Sequence, residues 1–482
     1  MAISSPGIGS GLDVQSIVGQ LVAIEQRPLA TLQTQATTLN TQLSSLGTIK
    51  GKLAALQDAA AALSKPDFWT RTTGSSTGIA VNVSTSASAT PAEYSVQVTQ
   101  LAAAQSLAST GFTNSSSVVG TGKLRIETGS WANLGTPTAA FTPKSASLPF
   151  DIEIGTGQDT LAAIRAQINA AKAGVTASIV NDNTGSRLVI RSDTTGEENA
   201  LRITQIDDSG TKVTGGALSA LTYDPTGGAA TSLTEMVAPK NALATLDGLN
   251  LVSSSNTFKD VADGMSFTAV DKTTAPLTIR VGIDTAAFKS ALSKFTTAYN
   301  DLNTTIRDLT KYDEATKSGA VLQGDRTALS IQSQLRGLVQ GTGGTSETYR
   351  RLSDLGIQMQ RDGSLKTDDT KLTDALKNPA EVAKAMSSAS DVTGASRGIG
   401  NLFQSFASVV TGTGGSLTSR TDSLGNRIKL NTKEQDRFNA RIEDTRARLL
   451  KQYSALDTKL ASLNGLNTYM TQQITNWNKS TG

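Results

Sequence analysis

The apolar residues near the C-terminus recur with the spacing of a long amphipathic helix. Between Arg427 and Trp477 they are separated by three or four residues, and once by seven, which is typical of a coiled-coil seam. No charged residue occurs between Lys459 and Lys479, so the opposite face is also unusually bland for a solvated helix. The pattern predicts a helix that needs partners. Its apolar positions are Phe438, Ile442, Leu449, Tyr453, Leu456, Leu460, Leu463, Leu466, Met470, Ile474 and Trp477.

A similar pattern begins near the N-terminus. After a candidate N-cap at Ser10 or Asp13 comes a short amphipathic helix, which Pro28 is expected to end or kink because proline lacks an amide donor. A second helix continues at threes and fours to Leu63. We expect the two terminal patterns to pair antiparallel or to bundle with copies from other chains. The positions expected to form this partner or assembly interface are Val14, Ile17, Leu21, Ile24, Leu32, Leu39, Leu43, Leu46, Leu456, Leu460, Leu463, Leu466, Met470, Ile474 and Trp477.

Between these helices the hydrophobic period changes to the two-residue alternation of strands. Residues 70–78 are rich in Thr, Gly and Ser and are expected to be a linker. A helix at residues 161–168 interrupts the strands, and residues 181–185 have the composition of a hairpin turn. Strands are expected at residues 79–83, 94–98, 123–127, 150–154, 175–180, 187–190, 244–251, 266–270 and 277–283.

The helical period returns at Thr285. Residues 288–309 carry the most regular seam in the chain and are expected to be buried. A hairpin near Asp362 and a break at residues 411–415 precede the C-terminal helix. The order of elements is therefore nested, with helices at both ends and β-rich material inserted between them. Further helices are expected at residues 325–339, 370–376 and 379–386.

The composition removes several classes of chemistry. The 482 residues include no cysteine and no histidine, so thiolate nucleophiles, imidazole bases, Cys/His zinc sites and disulfides are excluded. The length favours three or four domains of about 100 to 200 residues. A formal net charge of +3 indicates neither a nucleic-acid partner nor a polybasic membrane surface. We also expect no Sec-type signal peptide and no membrane insertion, because no apolar run is long enough.

A few short motifs match the sequence patterns of chemical sites but lack the surrounding residues or elements that such sites need. Residues 7–11 are Gly-rich like a phosphate loop, but no strand precedes them, and a flexible leader is expected. In residues 181–185 the glycine is misplaced for a calcium loop. Residues 74–78 match Gly-Xaa-Ser-Xaa-Gly, but without histidine no Ser-His triad can form. Adjacent carboxylates are expected in solvated loops. We therefore predict no catalytic, cofactor-binding or metal site.

The terminal stripes have three interpretations. A heptad stripe is most often intramolecular core, but two long uncharged helices at opposite termini bury little as a lone pair, which favours assembly with other chains. An amphipathic membrane helix is disfavoured because the polar face lacks the Lys and Arg residues that bind anionic lipid.

Motifs along nearly the whole chain resemble the flagellar filament cap family, also called hook-associated protein 2. Each motif alone is weak, but their order is specific, whereas residues 112–146 match no motif of the family. The similar segments are residues 9–13, 94–98, 246–248, 355–357, 362–365 and 378–379, together with residues 161–204, which are similar to the hook IN motif of flagellin-like proteins.

The resemblance implies an α+β multidomain fold: a terminal α-helical coiled coil, a helical-bundle leg and inserted β-rich head domains. It places the terminal coiled-coil domain at residues 1–31 and 446–482, and the helical leg at residues 32–77 and 284–445. The β-rich head would comprise residues 78–105 and 238–283, and an outer head, residues 106–237, would contain the hook IN motif.

The resemblance also implies a structural, non-enzymatic function at the tip of the bacterial flagellum. Such proteins form a homo-oligomeric ring that promotes flagellin insertion and filament elongation. Implied partners are flagellin, hook-filament junction proteins and a cytoplasmic export chaperone on the C-terminal helix, with type III export to the extracellular tip. Two alternatives remain at this point: a surface adhesin using the β-rich head, and a flagellin or hook-filament junction protein.

Overall fold

The computed structural model describes residues 13–145, 148–389 and 397–480. This part of the chain forms two compact units. The helical unit comprises the chain up to Trp69 and from Thr285 onward, and the β-rich unit spans Thr70–Asp284. The predicted α+β class, with helical termini and an inserted β-rich region, is confirmed.

The helices and strands are as follows in chain order. The helices are α1 (Val14–Glu25), α2 (Arg27–Leu63), α3 (Leu161–Ala171), α4 (Thr285–Thr310), α5 (Arg326–Gln340), α6 (Asp369–Ala375), α7 (Pro379–Ser387), α8 (Ile399–Thr411) and α9 (Ser416–Ser480). The strands are β1 (Thr72–Ser76), β2 (Val81–Thr85), β3 (Ala92–Gln100), β4 (Ser106–Ala108), β5 (Gly122–Ala132), β6 (Ala140–Pro143), β7 (Phe150–Ile154), β8 (Val175–Asp182), β9 (Gly185–Ser192), β10 (Ala200–Ile206), β11 (Thr234–Val237), β12 (Ala242–Leu246), β13 (Leu249–Ser253), β14 (Thr257–Ala262), β15 (Met265–Ala269), β16 (Leu277–Ile283), β17 (Tyr312–Asp313), β18 (Ser318–Gly319), β19 (Ile357–Met359) and β20 (Leu365–Thr367).

The core of the helical unit forms where α2 packs against α4, α8 and α9. The seam predicted on α4 is buried from Phe288 to Ile306. Phe295 meets Phe403 of α8 edge-on, with ring centroids 5.0 Å apart. Trp69 is buried at the edge of this core, beside Phe288. Its indole Nε1 donates a hydrogen bond to the carbonyl oxygen of Leu63 at 2.9 Å. Aromatic side chains are rare in the chain, and several of them meet in this core.

The β-rich unit contains two hydrophobic cores. The near core lies between a five-stranded antiparallel sheet of order β1-β16-β3-β12-β13 and a three-stranded sheet of order β14-β15-β2. The far core lies between the sheets β10-β5-β6, with β7 also on β5, and β11-β4-β9-β8, and it includes the buried face of α3. Leu161, Ile164 and Ile168 form that face, as their spacing predicts.

The predicted linker at residues 70–78 is wrong. Residues 72–76 form β1, in which Thr72 pairs with Ile283 and Ser76 with Ile279. The half-buried side of β1 carries Thr, Gly and Ser instead of aliphatic residues, so the alternation gives no hydrophobic signal. Gly74 is required because a Cβ atom there would overlap the side chain of Val83.

Other elements also differ from the prediction. The strand expected at residues 244–251 is instead the hairpin β12–β13, turned by Asp247 and Gly248, both with positive φ. Helix α8 was missed. The C-terminal helix begins at Ser416, not Arg427, because the Gly-rich break ends there. The hairpin at residues 181–185 and the helix after Asp325 are confirmed.

Candidate assembly surface on the terminal helices

Helix α1 begins and ends as the sequence indicates. The Asp13 carboxylate accepts a hydrogen bond from the amide of Ser16 at 3.0 Å, which satisfies one of the free donors of the first turn. A single residue, Gln26, separates α1 from α2, and Pro28 occupies the first turn of α2, where its missing amide costs nothing. Pro28 therefore marks a helix junction, as predicted.

Helix α1 packs on the middle of α9, around residues 442–453. Val14, Val18 and Val22 are buried against Ile442, with Leu449 and neighbouring side chains partly buried around them. The two ends of the chain thus pair within one molecule. Because later residues of α9 meet earlier residues of the chain, the pairing is antiparallel.

The face that α1 buries differs in part from the predicted seam. Valines at i, i+4 and i+8 form the packed face, whereas Leu21 and Ile24 remain exposed. Both sides of this short helix are apolar, so periodicity alone selects neither side. One apolar side contacts α9, and the other faces solvent.

The fifteen predicted interface residues fall into three groups. The groups differ in how much of each side chain is exposed within the single chain. The buried residues are Val14, Leu39 and Leu46; the half-buried residues are Ile17, Leu32, Leu43 and Leu460; the exposed residues are Leu21, Ile24, Leu456, Leu463, Leu466, Met470, Ile474 and Trp477.

The exposed residues on α9 form a continuous stripe. Every side chain from 462 to 478 is exposed, and Ile474 is 53% exposed. We call Leu456, Leu463, Leu466, Met470 and Ile474 the terminal stripe. From first to last it extends about 27 Å along the helix. A row of exposed apolar side chains of this length is typical of an interaction site.

Three threonine hydroxyls beside the terminal stripe are bonded to their own helix. The hydroxyls of Thr468, Thr471 and Thr475 each donate to the carbonyl oxygen four residues earlier, at 2.7 to 2.9 Å. Between Lys459 and Lys479 this end of α9 therefore offers a partner apolar side chains and uncharged amides, but no charged group.

A polar layer between α2 and α9 was not anticipated. Leu417, Leu424 and Asn431 are buried at intervals of seven residues on α9. The Asn431 amide nitrogen donates to the carbonyl oxygen of Leu32 and to Gln35 Oε1, both at 3.1 Å, and its oxygen accepts from Gln435 at 2.6 Å. The seven-residue interval was the available signal, because it places an asparagine at a core position.

The described acidic residues from these motifs stabilise turns and helix ends. The Asp182 carboxylate accepts hydrogen bonds from the Thr184 hydroxyl and amide and from Arg187, which lower its pKa to about 2. It therefore holds the hairpin turn. Asp368 caps α6, and Asp207 accepts bonds from the turn that follows it. Residues 7–11 lie outside the described residues. In the described ranges no cluster of three or more Asp or Glu side chains could hold a metal ion.

Among the described helices, none combines the length and apolarity needed to span a bilayer. In the exposed end of α9, Thr, Asn and Gln are too frequent for the helix to reach that apolarity.

Family comparisons agree with this architecture. A profile described as "Flagellar hook-associated protein 2 N-terminus" matches residues 10–105, and one described as "Flagellar hook-associated protein 2 C-terminus" matches residues 239–465. Between them, a profile described as "Flagellin hook IN motif" matches residues 142–194, overlapping the segment identified by its motif.

Individual proteins match along nearly the whole chain. The flagellar hook-associated protein 2 of Escherichia coli K12 is 32% identical over 98% of each chain. The A-type flagellar hook-associated protein 2 of Pseudomonas aeruginosa is 30% identical, over 97% of this chain and 96% of that protein. The crystal structure of the flagellar cap protein FliD D1-D2-D3 domains from Escherichia coli matches with a TM-score of 0.61 and 31% identity, covering 79% of this chain and 99% of that chain.

These matches give no support to the adhesin or flagellin alternatives. They confirm the family inferred from the sequence motifs: the chain belongs to the flagellar hook-associated protein 2 family.

Proposed function

We propose that this chain is a structural cap at the distal tip of the bacterial flagellum, where it promotes flagellin insertion and filament elongation. The observation that carries the proposal is the terminal stripe. It is exposed and uncharged, and it lies on a helix whose N-terminal part is packed in the core of the helical unit. A surface of this kind can bind neighbouring helices through apolar contact and release them again, because no strong ion pair must be broken at each step.

The proposed organisation has four segments. The terminal domain comprises residues 1–31 and 446–482, the leg residues 32–77 and 284–445, the head residues 78–105 and 238–283, and the outer head residues 106–237. The separate near and far cores support the division of the head. The separate cluster of α1 valines on Ile442 supports a distinct terminal domain.

The proposed partners of the terminal stripe succeed one another in time. A cytoplasmic export chaperone covers it before export, and neighbouring subunits of a homo-oligomeric ring, flagellin and the hook-filament junction proteins meet it afterwards. Type III export of the unfolded chain is compatible with the lack of cysteine, because no disulfide can form and obstruct passage. The apolar exposure of the stripe supports a need for protection by a chaperone.

The decisive experiment tests the stripe in a flagellated strain that lacks its own cap protein. A stripe variant is expected to leave the helix intact but to abolish filament growth, so that unpolymerised flagellin accumulates in the medium. A matched control changes polar residues of the same exposed segment and is expected to restore filaments. The stripe variant is Leu463→Ser, Leu466→Ser, Met470→Ser and Ile474→Ser, and the control is Asn464→Ser, Asn467→Ser, Gln472→Ser and Gln473→Ser.

Circular dichroism and immunoblots of the secreted fraction establish that both variants fold and are exported. Filaments of normal length with the stripe variant would overturn the proposal. Equal loss with the control would show that the helix surface acts without regard to the apolar row, and would also contradict it.

A further inference from the structure

The near and far cores of the β-rich unit are joined by two passages of the chain. Residues 101–105 lead from β3 to β4, and residues 238–241 return from β11 to β12. The two passages pair with each other: Ala103 donates to the carbonyl oxygen of Lys240 at 2.9 Å, and Lys240 donates back at 3.1 Å. A two-stranded neck of this kind, held only by its own ladder, would be free to bend and twist.

A third segment spans the neck. Residues 194–199 connect β9 to β10 and thus belong to the far core, but they contact the near core. The Thr195 hydroxyl donates to the carbonyl oxygen of Ser254 at 2.7 Å, beyond the end of β13. The Glu197 amide donates to Oδ1 of Asn241 at 3.0 Å, just before β12.

The same segment also bonds to the neck itself. The Gly196 amide donates at 3.2 Å to the carbonyl oxygen of Ala103, which already accepts from Lys240. On the other side, the amide of Ala102 donates to Oδ1 of Asn256 at 2.7 Å. Each passage of the neck is therefore fixed to a loop that lies beside it.

Gly196 shows how closely the loop approaches the near core. It is buried, its φ is +104°, and a Cβ atom would lie 2.7 Å from the carbonyl oxygen and the Cβ of Ser254. Only glycine fits this position, for reasons of both backbone conformation and space. The loop is also stiffened internally, because the Asn199 side chain donates to the carbonyl oxygen of Thr195 at 2.6 Å.

From these contacts we propose that residues 194–199 form a brace that fixes the angle between the near and far cores, so that the β-rich unit moves as one rigid body. The bonds from Thr195 to Ser254 and from Glu197 to Asn241 attach the far core at points beyond the neck ladder, and each added attachment restricts bending and twisting. The brace depends on the fold and is independent of the proposed function.

The brace can be tested in the full-length chain by measuring the distance between two spin labels with pulsed electron–electron double resonance. The chain has no cysteine, so spin labels at Ala166→Cys on α3 and Lys259→Cys on β14 are unique. The protein with an intact brace is expected to give one narrow distance distribution. Gly196→Ala is expected to widen it at least twofold, and so is the double change Thr195→Val with Asn241→Ala, which removes two hydrogen bonds without straining the backbone.

Gly157→Ala is the matched control, because Gly157 also has a positive φ, of +82°, but has open space around it. It is expected to leave the width unchanged. Should Gly196→Ala unfold the far core, as judged by circular dichroism, the double variant decides. Unchanged widths in a folded double variant, or a broad distribution with the brace intact, would overturn the proposal.

Discussion

At the scale of single residues, two buried tyrosines illustrate how a polar group shapes stability. Burial raises the pKa of both Tyr299, in α4, and Tyr223, in the far core, to about 12. The Tyr223 hydroxyl is hydrogen-bonded to Gln105, whereas the Tyr299 hydroxyl has no hydrogen-bond partner among the described residues. A buried hydroxyl without a hydrogen-bond partner costs free energy that a bonded hydroxyl recovers.

Replacing each tyrosine with phenylalanine should therefore have opposite effects. Tyr299→Phe is expected to stabilise the helical unit by about 1 kcal/mol, because it removes an unsatisfied group and keeps the ring beside Phe403. Tyr223→Phe is expected to destabilise the β-rich unit by about 1 kcal/mol. Thermal unfolding followed by near-ultraviolet circular dichroism measures both, and a loss of stability in Tyr299→Phe comparable to that in Tyr223→Phe would contradict the argument.

At the scale of elements, α9 is organised by an apolar root, a polar layer and an exposed end. Its root is fixed by a partly buried ion pair, in which Arg420 Nε donates to Asp325 at 3.0 Å while the same carboxylate caps α5. Next comes the layer of Gln35, Asn431 and Gln435. Beyond it lies the segment that holds α1 and the terminal stripe.

The polar layer should respond non-additively to substitution. Asn431→Leu alone is expected to destabilise the helical unit by about 1 to 3 kcal/mol, because it removes the hydrogen bonds of a buried amide and leaves the half-buried Gln435 without its partner. Adding Gln35→Leu and Gln435→Leu is expected to recover part of that loss, because the half-buried position 435 then carries no unpaired amide, whereas position 35 is exposed and gains little. Urea unfolding of the single and triple variants is the measurement. Equal destabilisation by both would show that packing, not hydrogen bonding, limits this layer.

An element could be predicted from the sequence where its own residues have one apolar side and one polar side. The α4 seam and the α3 face were predictable because one side of each helix is apolar and the other is not. The packed side of α1 was not, because Leu21 and Ile24 compete with the valines and the choice depends on α9, far away in the sequence. β1 escaped prediction because its pairing with β16 is a backbone property of a Thr/Ser/Gly segment. For the proposed assembly surface, the sequence predicted fifteen positions, and only the packing shows which of them are buried and which are exposed.

At the scale of the whole molecule, the charged groups define a broad range of stable pH. Hydrogen bonds lower the pKa of Asp182 to about 2, and those of Asp207 and Asp362 fall below their usual value for the same reason. A carboxylate whose pKa is lower in the folded state contributes stability above its unfolded pKa and loses it as pH falls through the folded value. The two tyrosines act at the other end, because their raised pKa makes folding less favourable above about pH 10.

The melting temperature is therefore expected to be flat between about pH 6 and pH 9, where no histidine titrates, and to fall between about pH 5 and pH 2. Asp182→Asn keeps the amide acceptor of the turn but removes the charge, so the acid decline of the β-rich unit should become shallower. Calorimetry across this range checks both statements. A maximum near pH 6.5, or an unchanged acid slope in Asp182→Asn, would be inconsistent with them.

The pairing of β1 with β16 has a consequence for how the chain is divided. Thr72 lies opposite Ile283, and the amide of Asp284 donates to the carbonyl oxygen of Arg71 at 3.0 Å, so the chain passes into and out of the β-rich unit through adjacent strands. Paired antiparallel strands are only about 5 Å apart, a distance that a two-residue turn closes. We therefore expect that the β-rich unit can be removed, or replaced by a foreign domain whose termini are adjacent, without lengthening any loop of the helical unit.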